Sequence, residues 1–318
     1  MNYEMFKEKI QEALTACFPP ESGISMEMTT EMKINRKVDL LMIKKTGTEK
    51  TKATVGQSLN LSYMYEMYEQ GVPFGRLVSD CAATIQLFCE DDGVPEFIHG
   101  IEQNGIAKDK DIILEKIHFE LINTEKNKEL LEYIPHRKML DLSIVYRVTL
   151  ASDSNGSYGF LVKNGFLEDA GITEEEAFLA AEKNTRDILG INARPMNNVI
   201  KSILNTVGSM PHPYETYDMD LDNQLPMWVI GGNGLPGGAA GMLYADILED
   251  LAEKMSGSIY LIPSSVCEII VIPTFIMPAG EAKEMLLNAN IECIPEEEFL
   301  SDSLYIYDMK DGRIRIAK

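Results

Sequence analysis

The chain has 318 residues, of which 45% are hydrophobic and 25% charged, and its formal net charge is −21. That is a soluble globular composition, long enough for one large domain or two ordinary ones. The acidic balance repels phosphate backbones and argues against direct nucleic-acid binding. The most apolar late stretch, 259–277, is broken by Pro263, Glu268 and Pro273, which rules it out as a membrane span. The opening residues MNYEMFKEKI carry charge in every turn and lack a secretory apolar core, so the expected location is cytoplasmic.

Phe6, Ile10, Leu14 and Cys17 recur at helical spacing, and Pro19-Pro20 stops that helix. Residues 24–29 and 38–43 predict two strands bent near Ile34-Asn35-Arg36. A tyrosine-rich helix (Tyr63, Tyr65, Tyr68) follows over 59–70, and another runs from Pro73 to Glu90. Asp91 to Pro95 and the glycines at 100 and 105 break the pattern. They divide the chain into an N-terminal helix-hairpin-helix α+β region, residues 1–105, and a C-terminal α+β domain, residues 106–318. Ile112, Ile113, Ile117 and Leu121 predict a helix over 109–122, and a short helical turn is expected near 127–133.

Met139–Leu150 reads as β-structure, with a turn at 152–156 and a pairing strand at 158–163. Thr173 and Glu176 spell a capping box that opens the next helix. The region up to and including Pro211-His212-Pro213 reads as irregular. A strand near 227–230, a helix through Leu243–Leu251, strands 258–263 and 267–273, a helix near 280–290 and a terminal hairpin (304–307 against 313–316) complete the list. The fold class expected is α+β, with mixed or antiparallel sheets and packed helices.

Gly232-Asn-Gly-Leu-Pro-Gly237 satisfies G-x-G-x-x-G, the string that cradles a dinucleotide pyrophosphate in a doubly wound Rossmann fold. The context argues against that use. The strand after its helix ends in Pro263-Ser264-Ser265, without a ribose carboxylate, and the next strand returns within a few residues as a hairpin. No cofactor is implied. A small anion at Gly237 and Gly238 is the remaining ligand reading.

The turn Pro263-Ser264-Ser265-Val-Cys267-Glu268 gathers two hydroxyls, a thiol and a carboxylate, with His136 and Asp141 as the distant groups a hydrolase would need. The alternative is hydroxyls satisfying turn amides. Asn123 and Asn127 form a polar set with His136 and Asp141, a weak ligand-binding candidate. Neither five cysteines without C-x-x-C nor four histidines without H-x-x-x-H offers a disulfide framework or a metal site.

Several stretches together resemble a family of clostridial proteins known only as a domain of unknown function, more distantly similar to YtpQ-type proteins of bacilli. They are Leu121–Asn127, Pro135-His136, Asp141-Leu142, Gly238-Ala239-Ala240, Leu261–Ser265 with Glu268, and Leu300-Ser301-Asp302. The resemblance runs along nearly the whole chain and implies no activity. Where the family commonly has histidine before the glutamate, this chain has Cys267.

Three readings of function follow. The first is a non-catalytic cytoplasmic binding or interaction protein with an unknown protein partner or small anion as ligand. The second is an uncharacterised hydrolase using the 263–268 turn, and the third an acidic DNA-mimic inhibitor of a DNA-binding enzyme.

Overall fold

Apolar side chains one helical turn apart define the first element, α1 (Tyr3–Cys17), whose Phe6, Ile10 and Leu14 are fully buried. The computed structural model describes residues 1–45, 55–90, 109–153, 156–207, 226–233 and 236–318. The chain divides into two compact units, Met1–Ala107 and Lys108–Lys318. The breaks at 91–95, Gly100 and Gly105, Ser154 and Asn155 of the predicted turn, Pro211-His212-Pro213, and Gly234-Leu235 of the glycine run lie outside the described residues.

In the first unit, β1 (Ile24–Lys33) and β2 (Arg36–Lys45) pair antiparallel, and β3 (Val55–Asn60) pairs with β2. Asn35 takes the left-handed conformation (φ 66°) that the two-residue turn requires and asparagine tolerates. Helices α2 (Leu61–Glu69) and α3 (Phe74–Glu90) follow among the described residues of this unit. Asn60 caps α2 by accepting from Tyr63 N, so the predicted helix start at 59 belongs to β3 instead. Tyr65 and Tyr68 pack on Phe6 at ring distances of 5.3 and 5.6 Å, whereas Tyr63 is exposed. Cys17, expected on the apolar face, is also exposed in the last turn of α1.

The second unit opens with α4 (Lys110–Lys116), and here the structure corrects the predicted helix of 109–122. Residues 117–123 form a strand, β4 (Ile117–Asn123), antiparallel to β6 (Leu142–Asp153). The helix stops because the Asn184 amide donates to the carbonyls of Leu114, Glu115 and Ile117, at 2.7 to 3.1 Å. After the short α5 (Lys128–Leu131), β5 (His136–Met139) and β7 (Gly156–Leu161) both pair with β6, giving a four-stranded sheet. A short α6 (Phe166–Asp169) precedes α7 (Glu174–Leu189), which carries the predicted capping box. The outer edge of β4 meets α7, where the buried Thr185 hydroxyl accepts from Phe119 N at 2.8 Å.

The region read as irregular contains β8 (Asn192–Pro195) and α8 (Met196–Val207). Next come β9 (Trp228–Gly231), a 3-10 helix (Gly238–Leu243), α9 (Ala245–Lys254), β10 (Ile259–Ser265), β11 (Glu268–Pro273), α10 (Ala279–Glu292), β12 (Tyr305–Asp308) and β13 (Arg313–Ile316). The last six strands form one antiparallel sheet ordered β13-β12-β10-β11-β9-β8. One face of this sheet (Ile259, Leu261, Ile269, Val271, Tyr305) shares a core with Phe119, Leu121, Tyr146 and α7. The other face, with Tyr260 and Ile272, is covered by α10 through Ala282. Burial on both faces explains why β10 and β11 read as near-continuous apolar runs. Among the described residues the three sheets are antiparallel and none is closed, so the fold is α+β, and β11 lies between β9 and β10 where a dinucleotide fold needs parallel neighbours.

The capping box makes a pH prediction. The Lys110 ammonium at 2.7 Å, and then the Thr173 backbone amide, hold the Glu176 carboxyl at about 2, below its ordinary value. A lowered folded pKa contributes stability above roughly pH 4.3, the unfolded value, and loses it as pH falls towards 2. Glu176→Gln should therefore flatten the fall of melting temperature between pH 5 and pH 2, and parallel curves for the two proteins would contradict this assignment.

Candidate functional site

Four of the polar residues singled out in the sequence belong to one latch between the four- and six-stranded sheets or lie beside it. Met139 pairs with Leu142, so β5 and β6 are joined by a two-residue turn, Leu140-Asp141. Asp141 is thereby pushed towards β12, where its two carboxylate oxygens accept from Ser301 Oγ at 2.6 Å and Tyr305 OH at 2.8 Å. Both hydroxyl-bearing residues are fully buried. Burial, with the Asp141 charge adding to it, pushes the Tyr305 phenol far above its usual range, so it stays a neutral donor.

Asn123 extends the latch by donating to Leu300 O at 3.1 Å and accepting from Lys126 N at 2.9 Å. Asn127 donates to Asn123 O at 2.8 Å and so holds the loop after β4. His136 is exposed on β5, with Nδ1 3.1 Å from Ile134 O. The sequence named Ser301 only within a resemblance and did not name Tyr305. Their separation of 160 and 164 residues from Asp141 leaves no local signal.

The structure does bring two other predicted segments together. Gly237 N and Ala239 N both donate to Val266 O, at 3.2 and 3.3 Å, so two amides an anion would need are already used. Gly238 packs so tightly on the β10–β11 turn that a Cβ there would lie 2.1 Å from Cys267 O. Ser265 Oγ accepts from Cys267 N at 3.0 Å, and Ser264 Oγ reaches Glu268 Oε1 at 3.4 Å. Among the described residues, the hydrogen bonds of this turn do not include His136 or Asp141.

Cys267 is a poor nucleophile here. Burial raises its thiol above the ordinary value, and Glu298, Glu268 and Glu120 add to the rise. Iodoacetamide at pH 8 should label the exposed Cys17 and Cys293 well before Cys267, as followed by peptide mass spectrometry. Selective early labelling of Cys267 would show an activated thiol instead.

Behind the glycine turn lies a pair that the sequence did not reveal. Glu120 is only 3% exposed, and Arg147 Nε stands 3.0 Å from its Oε1. The contact has ion-pair distance without hydrogen-bond geometry, since Arg147 Nε and Glu120 Oε2 are both buried without a hydrogen-bond partner. Once β4 is read as a strand, alternation puts His118, Glu120 and Ile122 on one face, opposite Arg147 and Ser143 of β6. These atoms are sealed from solvent, which excludes them as a docking point for a ligand arriving from outside.

An open groove flanks the latch, with a volume of about 400 Å3. Met139, Leu140, Met242, Leu248 and Ile314 give it an apolar lining, and Tyr307 and Arg313 are its polar members. Leu140 is 37% exposed and has φ 56°, a left-handed conformation that costs a β-carbon residue roughly 1–2 kcal/mol. Arg315 is held by Asp308 and Asp311, whereas the Arg313 guanidinium has no partner among the described residues. Burial first, then Glu249 and Asp311, raise the Tyr307 phenol and keep it protonated.

Among the described residues, no group of three or more His, Cys, Asp or Glu side chains is placed to hold a metal ion. No described helix is long and apolar enough to cross a membrane. The architecture is thus an antiparallel α+β protein with a polar latch and an apolar groove in its second unit. Residues 3–309 match a family of unknown function, DUF5688, and the chain belongs to that family. No curated protein and no solved structure matches the chain.

Proposed function

We propose that the protein is a non-catalytic binding protein whose ligand contacts lie in its second unit. One observation carries the reading: the groups a hydrolase would use are engaged elsewhere. Asp141 accepts from Ser301 and Tyr305, Ser265 accepts from a backbone amide of its own turn, and the Cys267 thiol is raised. A nucleophile needs a base within hydrogen-bond reach, and among the described residues the Ser264 hydroxyl meets Glu268 alone, at a long 3.4 Å.

The DNA-mimic reading has less support. Glu174 and Glu175 are paired with Arg137, and Glu176 with Lys110, so the three-glutamate start of α7 is engaged with cations.

The test is a fluorophosphonate probe on the full-length protein, read by intact mass, with native mass spectrometry of protein isolated from its host. The expected outcome is no stoichiometric adduct at Ser264 or Ser265 and a retained noncovalent mass. A stoichiometric serine adduct lost in Ser264→Ala or Ser265→Ala would overturn the reading.

A further inference from the structure

The groove beside the latch supports a more specific assignment, which rests on the binding-protein reading. We propose that it holds a small apolar carboxylate, a free acid with a hydrocarbon body, whose carboxylate pairs with Arg313. The volume of about 400 Å3 falls in the range of small-ligand sites, and its lining has the usual make-up of an apolar floor with few polar groups. Met139 at that floor adapts to a hydrocarbon chain of variable shape, with the buried Met242 behind it.

Charge selects the head group. In a chain of net charge −21, an exposed guanidinium without an acidic partner among the described residues, at the rim of an apolar groove, is free to take an anionic head group. An arginine fork pairs best with a carboxylate. The Tyr307 hydroxyl, kept neutral, can donate a second hydrogen bond. Asp308, directly across the strand pair from Arg313, and Asp311 are both engaged by Arg315, and Glu249 opposes an acid from the Tyr307 side.

Leu140 supplies an independent argument. Its turn position suits glycine, asparagine or aspartate, yet a leucine stands there, strained and more than a third exposed at the groove. The tight turn and the Asp141 latch account for the backbone conformation, but they do not require an exposed leucine at its strained position. A hydrocarbon body lying in the groove would cover this side chain.

Titration calorimetry on the full-length protein tests the assignment, with sodium octanoate, 1-octanol and octylammonium as probes. Octanoate should bind at least about tenfold more tightly than the neutral and cationic probes. Arg313→Gln, an exposed substitution, should abolish that preference, and Glu249→Gln should increase it. Leu140→Gly, which relieves the backbone, should weaken all three probes. Equal binding of the three probes by the wild type, or a preference that survives Arg313→Gln, would overturn the proposal. So would a Gly-Gly-Leu tripeptide that binds more tightly than octanoate, since the groove would then serve a peptide C-terminus. These outcomes are separate from the probe-adduct test: a serine adduct would sink the binding-protein reading whatever octanoate does, and a failed titration without an adduct would remove only the groove's ligand.

Discussion

Asp141→Ala is expected to destabilise the second unit by about 3–4 kcal/mol. The substitution leaves the Ser301 and Tyr305 hydroxyls buried without their acceptor, and each orphaned group costs roughly 1–3 kcal/mol. The single tryptophan, Trp228, lies in β9 of the same unit, so its fluorescence during urea unfolding reports the loss directly. A double substitution, Asp141→Ala with Tyr305→Phe, should cost less than the sum of its parts, because it removes donor and acceptor together. Strict additivity, or a loss below about 1 kcal/mol, would show that the latch does not hold the sheets.

Gly238→Ala is the second large effect, near 3 kcal/mol. Its Cβ would stand 2.1 Å from Cys267 O and 2.7 Å from Gly232 N, and both obstacles are backbone. No rotamer relieves such a clash, so either the 3-10 helix or the β10–β11 turn must move, the usual penalty of overpacking. Met242 and Leu243 ride on that 3-10 helix and line the groove, so octanoate binding should weaken as well. Gly257→Ala is the control: a Cβ there meets nothing within 4 Å, and its cost should stay within about 0.5 kcal/mol. Equal losses at the two glycines would discredit the close approach at 238.

These two residues also show how much of the molecule its sequence reveals. Elements whose signal is local are legible: the β10–β11 and β12–β13 hairpins, the α7 capping box and the α1 apolar stripe stand where alternation, turn residues and periodicity place them. Strand β4 is not, because Ile113, Ile117 and Leu121 fit a helical period while Ile117, Phe119 and Leu121 fit a strand equally well. Remote partners settle the competition: β6 pairs with the whole of β4, and the Asn184 amide, about seventy residues on, takes the carbonyls at the helix end. Likewise, Asp141 stands out in the sequence as a charge among leucines and methionine, but its partners are remote. In the glycine run, the missing ribose carboxylate and the following hairpin are legible in the sequence, whereas the bonds of Gly237 N and Ala239 N to Val266 O are not.

The latch has a consequence for how the chain is made. Ribosomes deliver roughly 5–20 residues per second. With Ser301 and Tyr305 160 and 164 residues behind Asp141, the aspartate emerges on the order of ten seconds before either hydroxyl. For most of that interval, once β7 has followed, all four strands of the smaller sheet exist, yet Ser301 and β12 do not. That sheet's apolar face is left for the nascent chain, or a chaperone, to shield. Strands β8 to β11 precede residue 301, so a ribosome stalled there would carry most of both sheets without the Asp141 latch that joins them.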